Sequence, residues 1–453
     1  MNQISTQTPK ATLQKRRKKF ADSMDENSAA LFLSAEVHHR NSDVEHKFRQ
    51  DSSFWYLTGF NEPDSALLIV KTKKETVNYI FSRPRDKEKE IWTGKIAGPE
   101  RAKEITGVDK CFEFKDLDGQ LEKLLTGLSR LYFEFSLANY HFLRNKILET
   151  AKHRRIQRIT STQNLIGELR LFKEPFEIQQ MKQAAKISAE AHKLAMQRAK
   201  PGKHECTLEG IIEGHFCLCG AGWAYPSIVA SGANATILHY TANDQELKKG
   251  DLLLVDAGSE YNYYASDITR TFPIGGPVGG KFSKAQKQAY ELVLSAQKDA
   301  IAQCYKKEVT FESVHEAAVK VLCEGLLDLG LLKGKLSDNI KNKTFRKFYM
   351  HKTSHWLGLD VHDVGSYVEP QDSKRVSKTA SAKTDTSRIL RPGMVITVEP
   401  GLYFDPEDTN IPKEFRGIGV RIEDDVLITK TGAEILTSAC PKEVDELEEI
   451  LGL

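Results

Sequence analysis

The stretch Asp251-Leu252-Leu253-Leu254-Val255-Asp256-Ala257-Gly258, with Ser266-Asp267-Ile268-Thr269-Arg270-Thr271 a short loop later, decides how this chain folds. It reads as an apolar strand ending in an acid, then a loop, then a strand carrying a second acid. Met394 to Thr429 repeats the plan: an apolar strand ends in Glu399-Pro400-Gly401, a longer loop follows, and the next strand carries Glu423. Helical spacing leads into each unit, over Glu174 to Ala199 for the first and over Lys284 to Leu329, broken near Lys307, for the second. Two such halves facing each other bring four carboxylates to one place.

Strand side chains alternate, so Leu254 shares a face with Asp256, Asp267 with Thr269, Thr397 with Glu399, and Arg421 with Glu423. A carboxylate at the end of an apolar strand is costly to bury unpaired, and a single one is usually a solvated strand end. Four in matching units, with His355 between them, point to a shared counter-charge. Together they carry −4, and without cations mutual repulsion drives their pKa values up. One divalent ion leaves −2; two leave zero and make a bridging hydroxide tolerable, so the set is most economically a two-metal site. Four oxygen donors and one imidazole suit manganese, cobalt or magnesium better than structural zinc does, although zinc stays compatible. His351 and His355 have the spacing of the H-E-x-x-H motif, but Lys352 stands where its glutamate belongs, so that motif fails. His239 and His362 are further histidines placed near this candidate site.

Outward from these units, the chain has 453 residues, 40% of them hydrophobic and 28% charged, enough for two or three domains with a sizeable core. Its 65 basic and 62 acidic residues leave +3, which argues against a whole-chain footprint for nucleic acid or an anionic membrane. The apolar runs Ala66 to Val70 and Leu252 to Val255 are far short of the roughly 20 residues of a spanning helix. The basic run Lys15 to Lys19 lacks a following apolar region and reads as a solvated helix face. Seven cysteines without C-x-x-C spacing fit reduced thiols in a cytoplasmic protein. Strand-like runs (Ala30 to Leu33, Phe54 to Leu57, Ala66 to Lys71, Val77 to Phe81, Leu131 to Phe135) alternate with helical ones such as Leu117 to Leu125. This predicts an α/β N-terminal domain over 1–171 and an α+β domain with pseudo-two-fold halves, carrying the four acids, over 172–453. Glu369 to Ser387, rich in Ser, Thr and Lys, reads as a mobile insertion.

The strings Ser266-Asp267-Ile268-Thr269-Arg270-Thr271-Phe272, His355-Trp356-Leu357-Gly358-Leu359-Asp360-Val361-His362-Asp363, Val398-Glu399-Pro400-Gly401-Leu402-Tyr403 and Gly419-Val420-Arg421-Ile422-Glu423-Asp424-Asp425 resemble aminopeptidase P, the Xaa-Pro branch of the pita-bread metallopeptidases. Arg49 to Pro63 extends the resemblance into a creatinase-like first domain. The resemblance implies release of the N-terminal residue from peptides with proline second, using two divalent ions, most readily Mn2+, with Co2+ or Zn2+ as alternatives. It implies Asp256, Asp267, His355, Glu399 and Glu423 as metal ligands, Asp267 and Glu423 bridging, and Glu399 also as proton shuttle. It further implies that His362 bonds the scissile carbonyl, that His351 and His239 line the pocket, and that Arg421 supports a carboxylate. Tyr403 is assigned to substrate binding, and so are Asp43 and Trp92, which in tetrameric relatives approach a neighbouring subunit's site. A homodimer or homotetramer is expected, with no nucleic-acid or membrane partner.

Lys352 departs from the family pattern by placing a cation beside the pocket, and the Glu369 to Ser387 insertion falls between His362 and Glu399. The alternatives are prolidase, with the same five ligands, and a non-catalytic pita-bread binding module, which would be expected to have lost ligands. Methionine aminopeptidase lacks a comparable leading domain.

Overall fold

Four of the expected strand-like runs and two further short strands form one mixed sheet in the first part of the chain. The computed structural model describes residues 8–134, 141–275, 280–370 and 387–451 and divides into two units, Met1–Arg170 and Leu171–Leu453. In the first unit the strand order is Lys110–Glu113, Thr76–Ser82, Ala66–Lys71, Ser28–Leu33, Arg130–Phe133, Arg158–Thr160. All six residues of Ser28–Leu33 are buried, as expected of an interior strand covered on both faces.

Two expectations fail here. Phe54 to Leu57 is not a strand but the interior of the helix Ser52–Thr58. The Asp51 carboxylate accepts from Phe54 N–H at 2.7 Å, and Gly59 closes the helix with φ of 59°, so capping chemistry decides a run too short to show periodicity. Nor is the basic run wholly solvated. Arg16 and Arg17 on the helix Lys10–Ser23 are buried. Arg17 donates to the carbonyls of Leu57 (2.7 Å) and Thr106 (2.8 Å), and the Arg16 guanidinium lies 4.1 Å from the centre of the Tyr56 ring. Carbonyls freed at helix ends satisfy charges that sequence pattern alone assigns to water.

The second unit has two matching halves. In one, the helices Pro175–Arg198 and Glu205–Leu218 precede an antiparallel sheet of Ile228–Ser231, Leu252–Asp256 and Thr269–Pro273. In the other, Lys284–Gln303 and Phe311–Asp328 precede Val395–Val398, Asp424–Thr429 and Gly432–Ile435, with Gly401–Tyr403 paired to Gly419–Arg421. The long helical stretch breaks between Gln303 and Phe311, where Thr310 caps the second helix through Ser313 N–H. Of the Glu369 to Ser387 insertion, 371–386 lie outside the described residues, and its ends are bridged by Val368 and Ser387. No described helix is long and apolar enough to cross a membrane.

Candidate active site

Register explains why the acids meet. In the first half Asp256 pairs with Thr269, so Asp267, two residues earlier, arrives beside the end of the Asp256 strand. In the second, Val398 pairs with Asp424, which delivers Glu423 next to Glu399. The acids were expected on the strands themselves, but Asp267, Glu399 and Glu423 occupy breaks just outside them. A strand interior would tie up the backbone on both sides, whereas a break lets the chain cross to the other half: Glu423 N–H donates to Thr269 O at 3.1 Å, and Thr269 Oγ1 to Glu423 Oε2 at 2.7 Å. Gly258 is needed for the close approach, since a Cβ there would sit 1.8 Å from Ser266 O. At Gly358 a Cβ would meet Asp363 Oδ2 at 2.1 Å, so glycine packs the His355 to His362 loop onto the buried Lys173–Asp363 ion pair.

Around a cavity of about 650 Å³ the structure gathers Asp256, Asp267, His355, Glu399 and Glu423, together with His239, His351, Lys352, His362 and Arg421. The donor atoms of Asp267, His355 and Glu423 lie within 4.8 Å of one another. His355 Nε2 is 3.4 Å from Asp267 Oδ2 and 3.6 Å from Glu399 Oε1, while its Nδ1 meets Trp356 O at 2.9 Å. That carbonyl accepts from Nδ1–H and turns the other ring nitrogen toward the carboxylates, the usual orientation of a ligating imidazole. Arg421 donates to Asp256 Oδ2 (2.6 Å), Thr269 Oγ1 (3.1 Å) and the Tyr403 hydroxyl (2.9 Å). Because a guanidinium only donates, the Tyr403 hydroxyl accepts from it and donates its own O–H to His351 Nε2 at 2.9 Å; the His351 ring proton then sits on Nδ1, against Lys352 O at 2.8 Å.

The electrostatics are those of a site short of positive charge. Burial, reinforced by Asp267, raises Asp256 against the opposing pull of Arg421, and burial with three neighbouring acids pushes Glu423 well above the usual carboxylate range. Glu399 is pushed up to about 7, first by burial and then by Asp267 and Asp256, against His355 and Arg421. For His355 burial works against the charged form, but the bond to Asp267 and the charge of Glu399 outweigh it and lift the imidazole to about 9. Burial, with the Arg421 charge, depresses His351 to about 3, and burial with His355 lowers His362, so both are neutral near pH 7. Donor set and charge shortage both fit divalent cations held by Asp256, Asp267, His355, Glu399 and Glu423.

Sequence reading did not single out Tyr225. Its hydroxyl is 2.7 Å from Asp256 Oδ1 and 2.5 Å from Asp267 Oδ1, tying the two aspartates together. Tyr403 is buried and reaches the site through Arg421 and His351, while His239 and His362 stand exposed at the rim. Lys352, also at the rim, is held by both oxygens of Glu312 at 2.8 and 2.9 Å. Asp43 and Trp92 lie in the N-terminal unit, Asp43 in an exposed turn and Trp92 88% exposed on the helix Lys87–Thr93; neither lines this cavity.

Comparison with known proteins gives the same architecture. Metallopeptidase family M24 matches residues 179–430, and the aminopeptidase P N-terminal domain matches 13–132. The chain is 43% identical to the Xaa-Pro aminopeptidase of Haemophilus influenzae over 98% of this chain and 97% of that one, and 42% identical to that of Escherichia coli over 100% and 99%. Its structure matches zinc-substituted E. coli aminopeptidase P in complex with product, with a TM-score of 0.89, 40% identity and 98% of each chain covered. The chain therefore belongs to metallopeptidase family M24, with the N-terminal domain of aminopeptidase P ahead of a pita-bread catalytic domain.

Proposed function

We propose that this protein is an Xaa-Pro aminopeptidase, a metallo-exopeptidase that removes the N-terminal residue from peptides with proline in second position. The observation that carries the reading is the cation-deficient cluster of four acids and His355 at the floor of a cavity large enough for a short peptide. Bound there, two divalent ions, with manganese favoured by the oxygen-rich donor set, would lower the pKa of the attacking water and polarise the scissile carbonyl.

The remaining work belongs to the chain. Asp256, Asp267, His355, Glu399 and Glu423 are assigned as ligands. Glu399, lining the cavity 3.6 Å from His355 Nε2, is placed to take a proton from water and return it to the leaving nitrogen. Neutral His362 donates to the carbonyl oxygen as negative charge develops there. Pro226, Ile228, Leu238 and Val361 give the cavity apolar walls suited to a proline ring. A peptide bond to proline lacks an N–H and fixes φ, so a dedicated pocket replaces the backbone contact that general peptidases use. The substrate's free α-amine can meet a metal ion or an acid of the cluster, a contact that would restrict cleavage to the first residue.

All seven cysteines are free, Cys206 and Cys217 exposed among them, which supports a reducing, cytoplasmic setting. Ile91 (81% exposed) and Trp92 support a homodimer or homotetramer in which Trp92 and Asp43 meet a neighbouring subunit. The prolidase alternative is disfavoured by the curated relatives. Chelated enzyme resupplied with manganese, assayed on an Xaa-Pro-Yaa tripeptide and an Xaa-Pro dipeptide, tests the assignment: tripeptide cleavage is expected, and dipeptide-only cleavage would contradict it.

A further inference from the structure

Away from the catalytic cavity, among the described residues, a second set of metal-ligating side chains meets: Glu190 on the helix Pro175–Arg198, His215 near the end of Glu205–Leu218, and Cys219, which follows that helix. Their donor atoms all lie within 4.8 Å of one another. His215 Nε2 is the shared vertex, 3.4 Å from Glu190 Oε2 and 3.6 Å from Cys219 Sγ. The contact to Glu190 is long for a hydrogen bond from an imidazole to oxygen, which runs about 2.7 to 3.2 Å, while the contact to Cys219 is of ordinary length for one to sulfur. Together they match the edges of a zinc tetrahedron: with metal–ligand lengths of about 2.0 to 2.3 Å, an N···O edge is about 3.4 Å and an N···S edge about 3.6 Å.

Hydrogen bonding does not serve all three groups well. The carboxylate needs a proton on Nε2, whereas the thiol, to donate, needs a lone pair on that same atom. A cation satisfies three lone pairs at once. We propose that Glu190, His215 and Cys219 form a third divalent-metal site, separate from the catalytic one and selective for a thiophilic ion of the zinc class. Sulfur and imidazole donors separate it chemically from the oxygen-rich catalytic cluster. Lys186, 4.0 Å from Glu190 and mostly exposed, is the competing cation.

Such an ion would pin two helices that support the catalytic turn. On either side of Glu190, Ser188 accepts from Ser259 N–H at 2.8 Å, and His192 meets Ala257 O at 3.0 Å. Beyond Cys219, the chain runs through Gly222–Trp223 to Tyr225, the residue that touches Asp256 and Asp267.

The test is a titration of cadmium(II) alone into full-length protein whose catalytic site is already filled with manganese. A sulfur-to-cadmium charge-transfer band saturating at one ion per chain is expected, retained in Cys217→Ser. Cys219→Ser should lose the band while keeping peptidase activity in the manganese form, and Glu190→Gln and His215→Ala should each weaken binding by about tenfold or more. A wild-type protein without the band, a band that survives Cys219→Ser, or undiminished affinity in both Glu190→Gln and His215→Ala would overturn the proposal.

Discussion

Glu423 and Asp424 are neighbours in sequence and both buried, yet they sit in opposite electrostatic worlds. Asp424 accepts from Arg270 (2.8 Å), Lys442 (2.5 Å), Gln297 (2.7 Å) and Thr437 (2.7 Å). Burial alone would raise its carboxyl, but the charges of Arg270 and Lys442 prevail and hold it well below the usual range. Glu423 faces Asp267, Glu399 and Asp256, with Arg421 as the opposing charge, and is driven up. Where the fold needs a fixed acid, the chain brings its own cations; on the other side of one peptide bond it leaves a deficit that divalent cations from solution would fill. Arg270 joins the two regions, since it also donates to Glu423 O at 2.6 Å.

Substitutions on either side should therefore fail differently. Asp267→Asn is expected to lower kcat by about a thousandfold or more, while the chelated variant melts no lower than chelated wild type because one repelling charge is gone. A lower melting temperature without metal would break the contrast. Asp424→Asn strands Arg270 and Lys442 without their anion and should cost about 3 to 5 kcal/mol of stability in urea unfolding; a cost under about 1 kcal/mol would contradict it. Arg421→Met should weaken metal affinity or activity by about 10- to 100-fold, read by manganese titration.

A smaller effect appears in pH dependence. A carboxyl raised in the fold favours the cation-free protein below its unfolded pKa, and that advantage is lost as pH rises through the folded value. For Glu399 the window runs from 4.5 to about 7. The gap in Tm between manganese-loaded and chelated protein should widen across that window, as scanning calorimetry would show; a constant gap would argue that the acids are already balanced.

Much of this was readable in the residues. The two-half plan and the meeting of the four acids follow from apolar strands ending in acids, because register does the rest. Tyr225 was not readable: it meets partners 31 and 42 positions away, and nothing in Trp223-Ala224-Tyr225-Pro226 shows a period or a motif. The same limit hid the burial of Arg16 and Arg17, whose carbonyl partners lie 40 to 90 positions along the chain. In Phe54 to Leu57 the informative residues were the flanking Asp51 and Gly59 rather than the apolar run.

The central claim is that the charge deficit around Glu423 exists to be filled by two cations. Its most direct test is calorimetric titration of manganese into chelated protein near pH 7, with proton release followed by repeating the titration in buffers of different ionisation enthalpy. Uptake of two ions per chain with release of protons, from His355 and the raised carboxyls, is the predicted result. Binding without proton release, or equal uptake by Asp267→Asn, would contradict it.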